Sequence, residues 1–215
     1  MATPTEKPEK QEKQEENAEM FSFLLGSDEE GAKTRTVGIY GDIDEEGAAT
    51  MVYSLLTLKE SICKEQIKES EEKKQEEEKP IKMIISTHGG SAHEMFAIYD
   101  VMRMIKQECD IETVGLGKVM SAGVVLLAAG TKGKRKLGRN CRIMIHPVNA
   151  ASYGDLKDIE NETKELKLLQ KMYIQALSDN TNMKNTQIKR LLKKKVNIYL
   201  SAEEAVRYGI VDEII

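Results

Sequence analysis

The chain has 215 residues, of which 40% are apolar and 32% charged, with a formal net charge of −4 at pH 7. That length suits one large domain with tails and can bury a sizeable core. The acidic balance, the lack of tryptophan and an aromatic content of 5% argue against a general nucleic-acid binder, because no basic run is interleaved with aromatics. Three cysteines, Cys63, Cys109 and Cys141, are odd in number and lack any CxxC or Cys/His metal spacing. They read as reduced thiols in a cytosol-like compartment, with no metal site. No apolar run reaches the length of a membrane span. The polar residues 1–19 do not read as a secretory signal, and their Glu content argues against a transit peptide.

In chain order, residues 1–19 predict a disordered charged tail, rich in Lys, Glu, Gln and Pro. Residues 20–34 hold a short apolar patch followed by a polar loop. Residues 35–40 predict a strand ended by Gly41-Asp42. Residues 44–60 predict a helix capped by Asp44, with Ala48, Met51, Val52, Leu55, Leu56 and Leu58 in one stripe. Residues 63–79 are nearly all Lys, Glu and Gln and fit either a solvated extension of that helix or a loose loop. Residues 81–86 predict a buried strand, 87–90 a turn and 91–107 an amphipathic helix with Met95, Phe96, Tyr99, Met102 and Ile105 on one side. A strand at 111–117 precedes a short apolar helix from Ser121. Residues 142–146 predict another strand, 155–178 the longest helix and 184–194 a further one. Ser201-Ala202-Glu203-Glu204 is a capping box that opens a last helix, stopped at Gly209. Alternating strands and helices give the α/β class.

Two polar side chains close otherwise apolar elements. Ser121 opens the run Ser-Ala-Gly-Val-Val-Leu-Leu-Ala-Ala-Gly, and His146 ends Arg-Ile-Met-Ile-His. A hydroxyl nucleophile needs an imidazole to take its proton, and such pairs sit at element ends whose tips converge. The bland alternatives are a helix cap for Ser121 and a strand-end histidine for His146. At the N-terminus of a helix, Ser121 would develop charge beside the positive dipole end, and the N–H of Ala122 could serve as an oxyanion donor. Gly89-Gly90, between a strand and a helix, fits either a tight turn or a backbone N–H site for an oxyanion. No Lys-Ser/Thr follows it, so it is not a phosphate loop. His88 and His93 flank this turn and read as solvated or locally bonded rather than as metal ligands.

The segments Ile-Ser-Thr-His-Gly-Gly (85–90), Met-Ser-Ala-Gly through Lys-Gly-Lys-Arg (120–135), Arg-Ile-Met-Ile-His-Pro (142–147) and Leu-Ser-Ala-Glu-Glu-Ala (200–205) resemble the proteolytic subunits of Clp proteases, in order and at near-family spacing. The resemblance implies a ClpP/crotonase-like spiral of ββα units spanning 35–215, with 155–178 as a protruding handle helix and 60–79 as a charged insertion. Residues 20–34 would correspond to an axial-loop segment. It implies a serine endopeptidase that hydrolyses unfolded polypeptides inside stacked seven-membered rings. An AAA+ Clp ATPase would feed the rings, and the peptidase itself would use no cofactor. Ser121 matches the nucleophile and His146 the general base. Gly90 and Ala122 match the oxyanion hole, and Gly89, Ser91 and Ala92 match substrate-binding positions. Neither nucleic acid nor membrane is an implied partner. The implied setting is cytoplasmic, or a plastid stroma, or a host cytoplasm for a viral chain.

Four departures stand out. The family's triad acid matches Asn197, which is neutral and leaves the imidazolium without a charged partner. In a trypsin-type triad the same Asp→Asn change costs roughly 10⁴ in kcat. His88 replaces the family's proline, so a changed subsite preference is expected. The arm at 63–79 and the tail at 2–17 have no counterpart in the mature family core. Asn197 motivates an alternative: a weakly active or inactive structural or regulatory subunit that assembles with another proteolytic subunit in a mixed ring. An acyl-CoA enzyme of the crotonase type is disfavoured by the family-specific runs.

Overall fold

The computed structural model describes residues 35–72, 80–151, 153–193 and 196–215. The tail, the apolar patch and the axial-type segment expected over 1–34 lie outside the described residues, as do residues 73–79 of the charged arm. What is described is a mixed α/β architecture built on a parallel sheet.

Strand β1 (Thr36–Ile43) runs parallel to β2 (Ile81–Gly90), which runs parallel to β3 (Ile111–Met120). Parallel neighbours need a crossover, and helices supply both. Helix α1 (Glu45–Glu72) joins β1 to β2, and α2 (Ala92–Ile105) joins β2 to β3. The charged arm therefore continues α1 as a helix to Glu72. In β2 the side chains of Ile81, Met83, Ile85 and Thr87 are fully buried, while Lys82 and His88 are exposed. That period of two marks one face as core. Residues Leu55, Met95, Met102, Ile105, Leu126 and Leu127 cover it from α1, α2 and α3 (Ala122–Ala128). Every residue of α3 is buried, as its unbroken apolar sequence demands.

Two expectations need correction here. The turn expected at 87–90 is the end of β2, paired with β1 through Gly89 and Gly90. Strand β3 continues past 117 to Met120 by way of a bulge. Ile85 pairs Gly115 and Thr87 pairs Val119, so between these pairs one residue of β2, Ser86, opposes three of β3, Leu116 to Lys118. Gly117, with φ 64°, takes the bend. The bend lets one strand serve two branches. Ahead of it β3 pairs β4 (Arg135–Leu137), which continues to β7 (Glu213–Ile214). Beyond it β3 pairs β5 (Arg142–Ile145), which pairs antiparallel with β6 (Ile198–Leu200).

Two of the remaining helices carry side-chain caps. Asp155 Oδ1 accepts from the N–H groups of Lys157 (2.9 Å) and Asp158 (3.1 Å) and starts α4 (Leu156–Asn180). Helix α5 (Asn185–Leu192) follows. The capping box of α6 (Ala202–Arg207) is complete, with Ser201 Oγ accepting from Glu204 N and Glu204 Oε2 from Ser201 N. Arg135, only 4% exposed, ties these pieces together. Its guanidinium donates to both carboxylate oxygens of Asp212 (2.9 and 2.5 Å) and to the carbonyls of Ala128, Asn180 and Gly209. Ala128 and Asn180 end α3 and α4, so one cation satisfies helix-terminal carbonyls and faces their negative dipole ends. Among the described residues, no helix is long and apolar enough to cross a membrane.

Candidate active site

Ser121 stands between β3 and α3 with φ 53° and ψ −120°, and among the described residues no other non-glycine has a positive φ. A side chain in this region of backbone space costs about 1–3 kcal/mol, and a strained strand-to-helix turn of this kind presents the nucleophile in α/β-hydrolases. The turn is held by Ser121 N donating to Met144 O at 2.8 Å and by Val124 N donating to Ser121 O at 3.0 Å. The Tyr173 hydroxyl, from α4, reaches the same Ser121 carbonyl at 3.5 Å. Full burial pushes the Tyr173 phenol well above its ordinary range, so it is a neutral donor. Ser121 occupies the N-cap position, yet its side chain makes no capping bond. The helix-cap reading of this serine therefore fails. Ala122 is the first residue of α3, so its N–H has no intrahelical partner.

The glycine pair is wedged against this turn. A Cβ on Gly89 would lie 2.6 Å from Ser121 Cβ and 3.1 Å from Ser121 Oγ. One on Gly90 would lie 2.2 Å from Ile43 O, at the end of β1. Both have positive φ, 105° and 153°. Only glycine fits at either position. Thr87 organises the pair, a role not apparent from the sequence. Its hydroxyl donates to Gly41 O at 2.5 Å and accepts from Gly89 N at 2.9 Å. The signal was there: a polar residue in the buried phase of β2, just before the glycines. Gly89 thus gives its N–H to Thr87. Ser91 spends its hydroxyl on capping α2, accepting from Glu94 N at 3.4 Å. Ala92 is half-buried at the start of α2, and His88 and His93 are exposed.

His146 follows β5, whose partner across the sheet is the end of β3. Met120 aligns with Met144, so Ser121 and His146 extend from neighbouring strand ends. On the other side, Ile145 pairs Ile198 in the antiparallel ladder with β6. One step further in that register sets Asn197 opposite His146, where cross-strand side chains share a face. The sheet thus gathers the ends bearing Ser121, His146 and Asn197. Among the described residues, no hydrogen bond joins His146 to Ser121 Oγ or to Asn197. Its Nδ1 instead lies 2.6 Å from Pro147 O. Catalytic hydrogen bonds tighten in many enzymes only when substrate is bound, so the missing Ser–His bond does not disqualify the pair. Among the described residues, no three His, Cys, Asp or Glu side chains cluster as a metal site. Burial raises the Cys141 thiol to about 11, which keeps it protonated and unreactive.

Comparison with known proteins places the chain among relatives of one family. The family model described as Clp protease matches residues 27–215. The chain is 39% identical over 142 residues to the ATP-dependent Clp protease proteolytic subunit 1 of Bifidobacterium longum, covering 66% of this chain and 59% of that protein. It is 38% identical over 138 residues to the proteolytic subunit 2 of Corynebacterium jeikeium, covering 64% of each. It is 37% identical over 141 residues to the proteolytic subunit of Deinococcus radiodurans, covering 66% of this chain and 67% of that protein. The match thus spans less than two thirds of the first two relatives.

Proposed function

We propose, on the premise that the chain belongs to the Clp protease family, that it is a serine endopeptidase acting on unfolded polypeptides. The observation that carries the reading is Ser121: a serine at φ 53° on a strand-to-helix turn, its hydroxyl unused for capping, beside the strand that ends in His146. In the proposed reaction Ser121 Oγ attacks the peptide carbonyl carbon while His146 Nε2 takes the hydroxyl proton. The oxyanion that forms is met by the N–H groups of Gly90 and Ala122, whose positions at the glycine wedge and the first turn of α3 favour this use. His146 then gives its proton to the leaving amine, and water resolves the acyl-enzyme by the same route in reverse. Asn197 is assigned as a neutral third member.

The relatives are named as ATP-dependent proteolytic subunits. On that basis we assign to this chain an AAA+ Clp ATPase as the partner that unfolds substrates. Self-association into stacked seven-membered rings would enclose the sites, and the exposed Leu156, Ile159, Leu168 and Met172 of α4 suit such a contact. A reducing, cytoplasm-type compartment suits the odd cysteine count. The silent-subunit alternative is not favoured, since both Ser121 and His146 are retained and the matched relatives are proteolytic subunits. A serine-directed fluorophosphonate tests the reading. Assembled protein should be labelled at Ser121 and should cleave short unstructured peptides without ATP. Folded substrates should require an ATP-consuming unfoldase. Assembled protein that is both unlabelled and inert toward peptides would overturn it.

A further inference from the structure

We infer that Gln170 is a positioning residue of this peptidase: through the Pro147–Val148 peptide it holds the His146 ring in the tautomer that a general base requires. The inference deepens the reading above and rests on it. A carbonyl oxygen only accepts hydrogen bonds, so the 2.6 Å contact between His146 Nδ1 and Pro147 O requires the proton on Nδ1. That tautomer leaves the Nε2 lone pair bare, ready for the Ser121 proton. In a serine protease triad the acid has this task. Here the corresponding residue, Asn197, is exposed and makes no hydrogen bond to His146.

The accepting carbonyl is itself held. Pro147 C=O and Val148 N–H belong to one planar peptide unit, so fixing the N–H fixes the direction of the carbonyl. Val148 N donates to Gln170 Oε1 at 2.8 Å. An acceptor on the N–H also polarises the carbonyl as an acceptor, since hydrogen bonds in series strengthen one another. The amide orientation of Gln170 is not ambiguous, because only its oxygen can receive the Val148 proton. Its Nε2 is buried and has no hydrogen-bond partner among the described residues, so the side chain's bond to Val148 is what places it. Gln170 comes from α4, between buried Leu169 and the turn bearing buried Tyr173, whose hydroxyl meets the Ser121 carbonyl. One helix therefore steadies both reacting side chains. A neutral carbonyl orients the ring without supplying charge, so this arrangement replaces the orienting half of the acid's role only.

The test combines kinetics with solid-state ¹⁵N NMR of histidine-labelled, assembled protein, in which three histidines keep assignment simple. In the unsubstituted protein the neutral form of the His146 ring should carry its proton on Nδ1. Gln170→Leu should mix the tautomers and lower kcat on a short peptide roughly 10–100-fold, the usual cost of losing an orienting partner, with KM nearly unchanged. Gln170→Glu keeps an acceptor oxygen and should recover most of that loss. Asn197→Ala should leave the proton on Nδ1. Should Gln170→Leu not fold, Gln170→Met removes the same acceptor with a similar shape. The inference is overturned if Gln170→Leu retains both kcat and tautomer, or if Asn197→Ala rather than Gln170→Leu shifts the proton. Wild-type protein inert to peptides would instead remove the underlying peptidase reading, while the tautomer measurement would still decide the role of Gln170.

Discussion

Ser121 can hold its unfavourable φ because nothing on the adjoining strand crowds it. Gly89→Ala would add a methyl 2.6 Å from Ser121 Cβ, at a φ of 105° that alanine resists. The neighbouring atoms belong to the Ser121 turn itself, so the nucleophile must move. A displacement of this kind costs about 100-fold in rate. The expected outcome is a loss of that order in peptide hydrolysis and in fluorophosphonate labelling, at unchanged assembled mass. Unchanged labelling would show that the two turns separate in the working state. Asn197→Asp acts in the other direction by setting a carboxylate opposite the imidazolium that forms during attack. Peptide kcat should rise by at least about 10-fold, a part of the roughly 10⁴ lost when a triad Asp becomes Asn. A steady-state assay of the two proteins side by side decides it. Ser121, His146 and the glycine pair stand out as candidates in the sequence because each is an odd residue at the end of an apolar run. Thr87 does not, because its hydroxyl is satisfied by Gly41, which lies 46 residues away in sequence. Only the β1–β2 pairing brings them together.

Among the elements, those with a cap or an apolar run announced themselves and three very short strands did not. Helices α4 and α6 start at Asp155 and Ser201, whose side chains make the capping bonds their sequence context implies. Strands β4, β6 and β7 have three, three and two residues, too few for any periodicity. Their positions are set by long-range partners. Arg135 in β4 closes the family-like run Lys-Gly-Lys-Arg (132–135), and the structure buries it on Asp212. The Arg135 hydrogen bond, partly opposed by burial, holds the Asp212 carboxyl below its ordinary range. The folded state thus binds this proton less readily than the unfolded chain. The resulting stabilisation is full above the unfolded value near 4 and is lost as pH falls through the lower folded value. Asp212→Asn should cost about 3–5 kcal/mol at neutral pH, since it strands a buried guanidinium. Its Tm should also fall less steeply than the wild-type Tm between about pH 5 and pH 2. Calorimetric scans across that range check both, and parallel acid limbs would show that Asp212 is not the linked group.

At the scale of the whole molecule, the proposed assembly makes α4 the element that a single chain leaves unfinished. Leu156 is 72% exposed, Leu168 48% and Met172 40%, on a helix of 25 residues otherwise rich in Lys and Glu. Burying what remains exposed of each such side chain against another copy would contribute about 0.6–2 kcal/mol, and a ring multiplies that contribution by its subunits. In the proposed stacked assembly, Leu168→Glu together with Met172→Glu would set carboxylates where apolar side chains should meet. Native mass measurement should then find half the assembled mass. The consequence for chemistry follows from the residues interleaved with these two. Gln170 fixes the peptide beside His146, and Tyr173 meets the carbonyl of Ser121. Releasing the outer face of α4 frees the helix that steadies both. The split form should therefore label with fluorophosphonate at least about 10-fold more slowly per subunit, the lower end of what lost orientation costs. Equal labelling rates in the split and intact forms would mean that α4 holds the site in place without its partner copy, and that stacking serves enclosure alone.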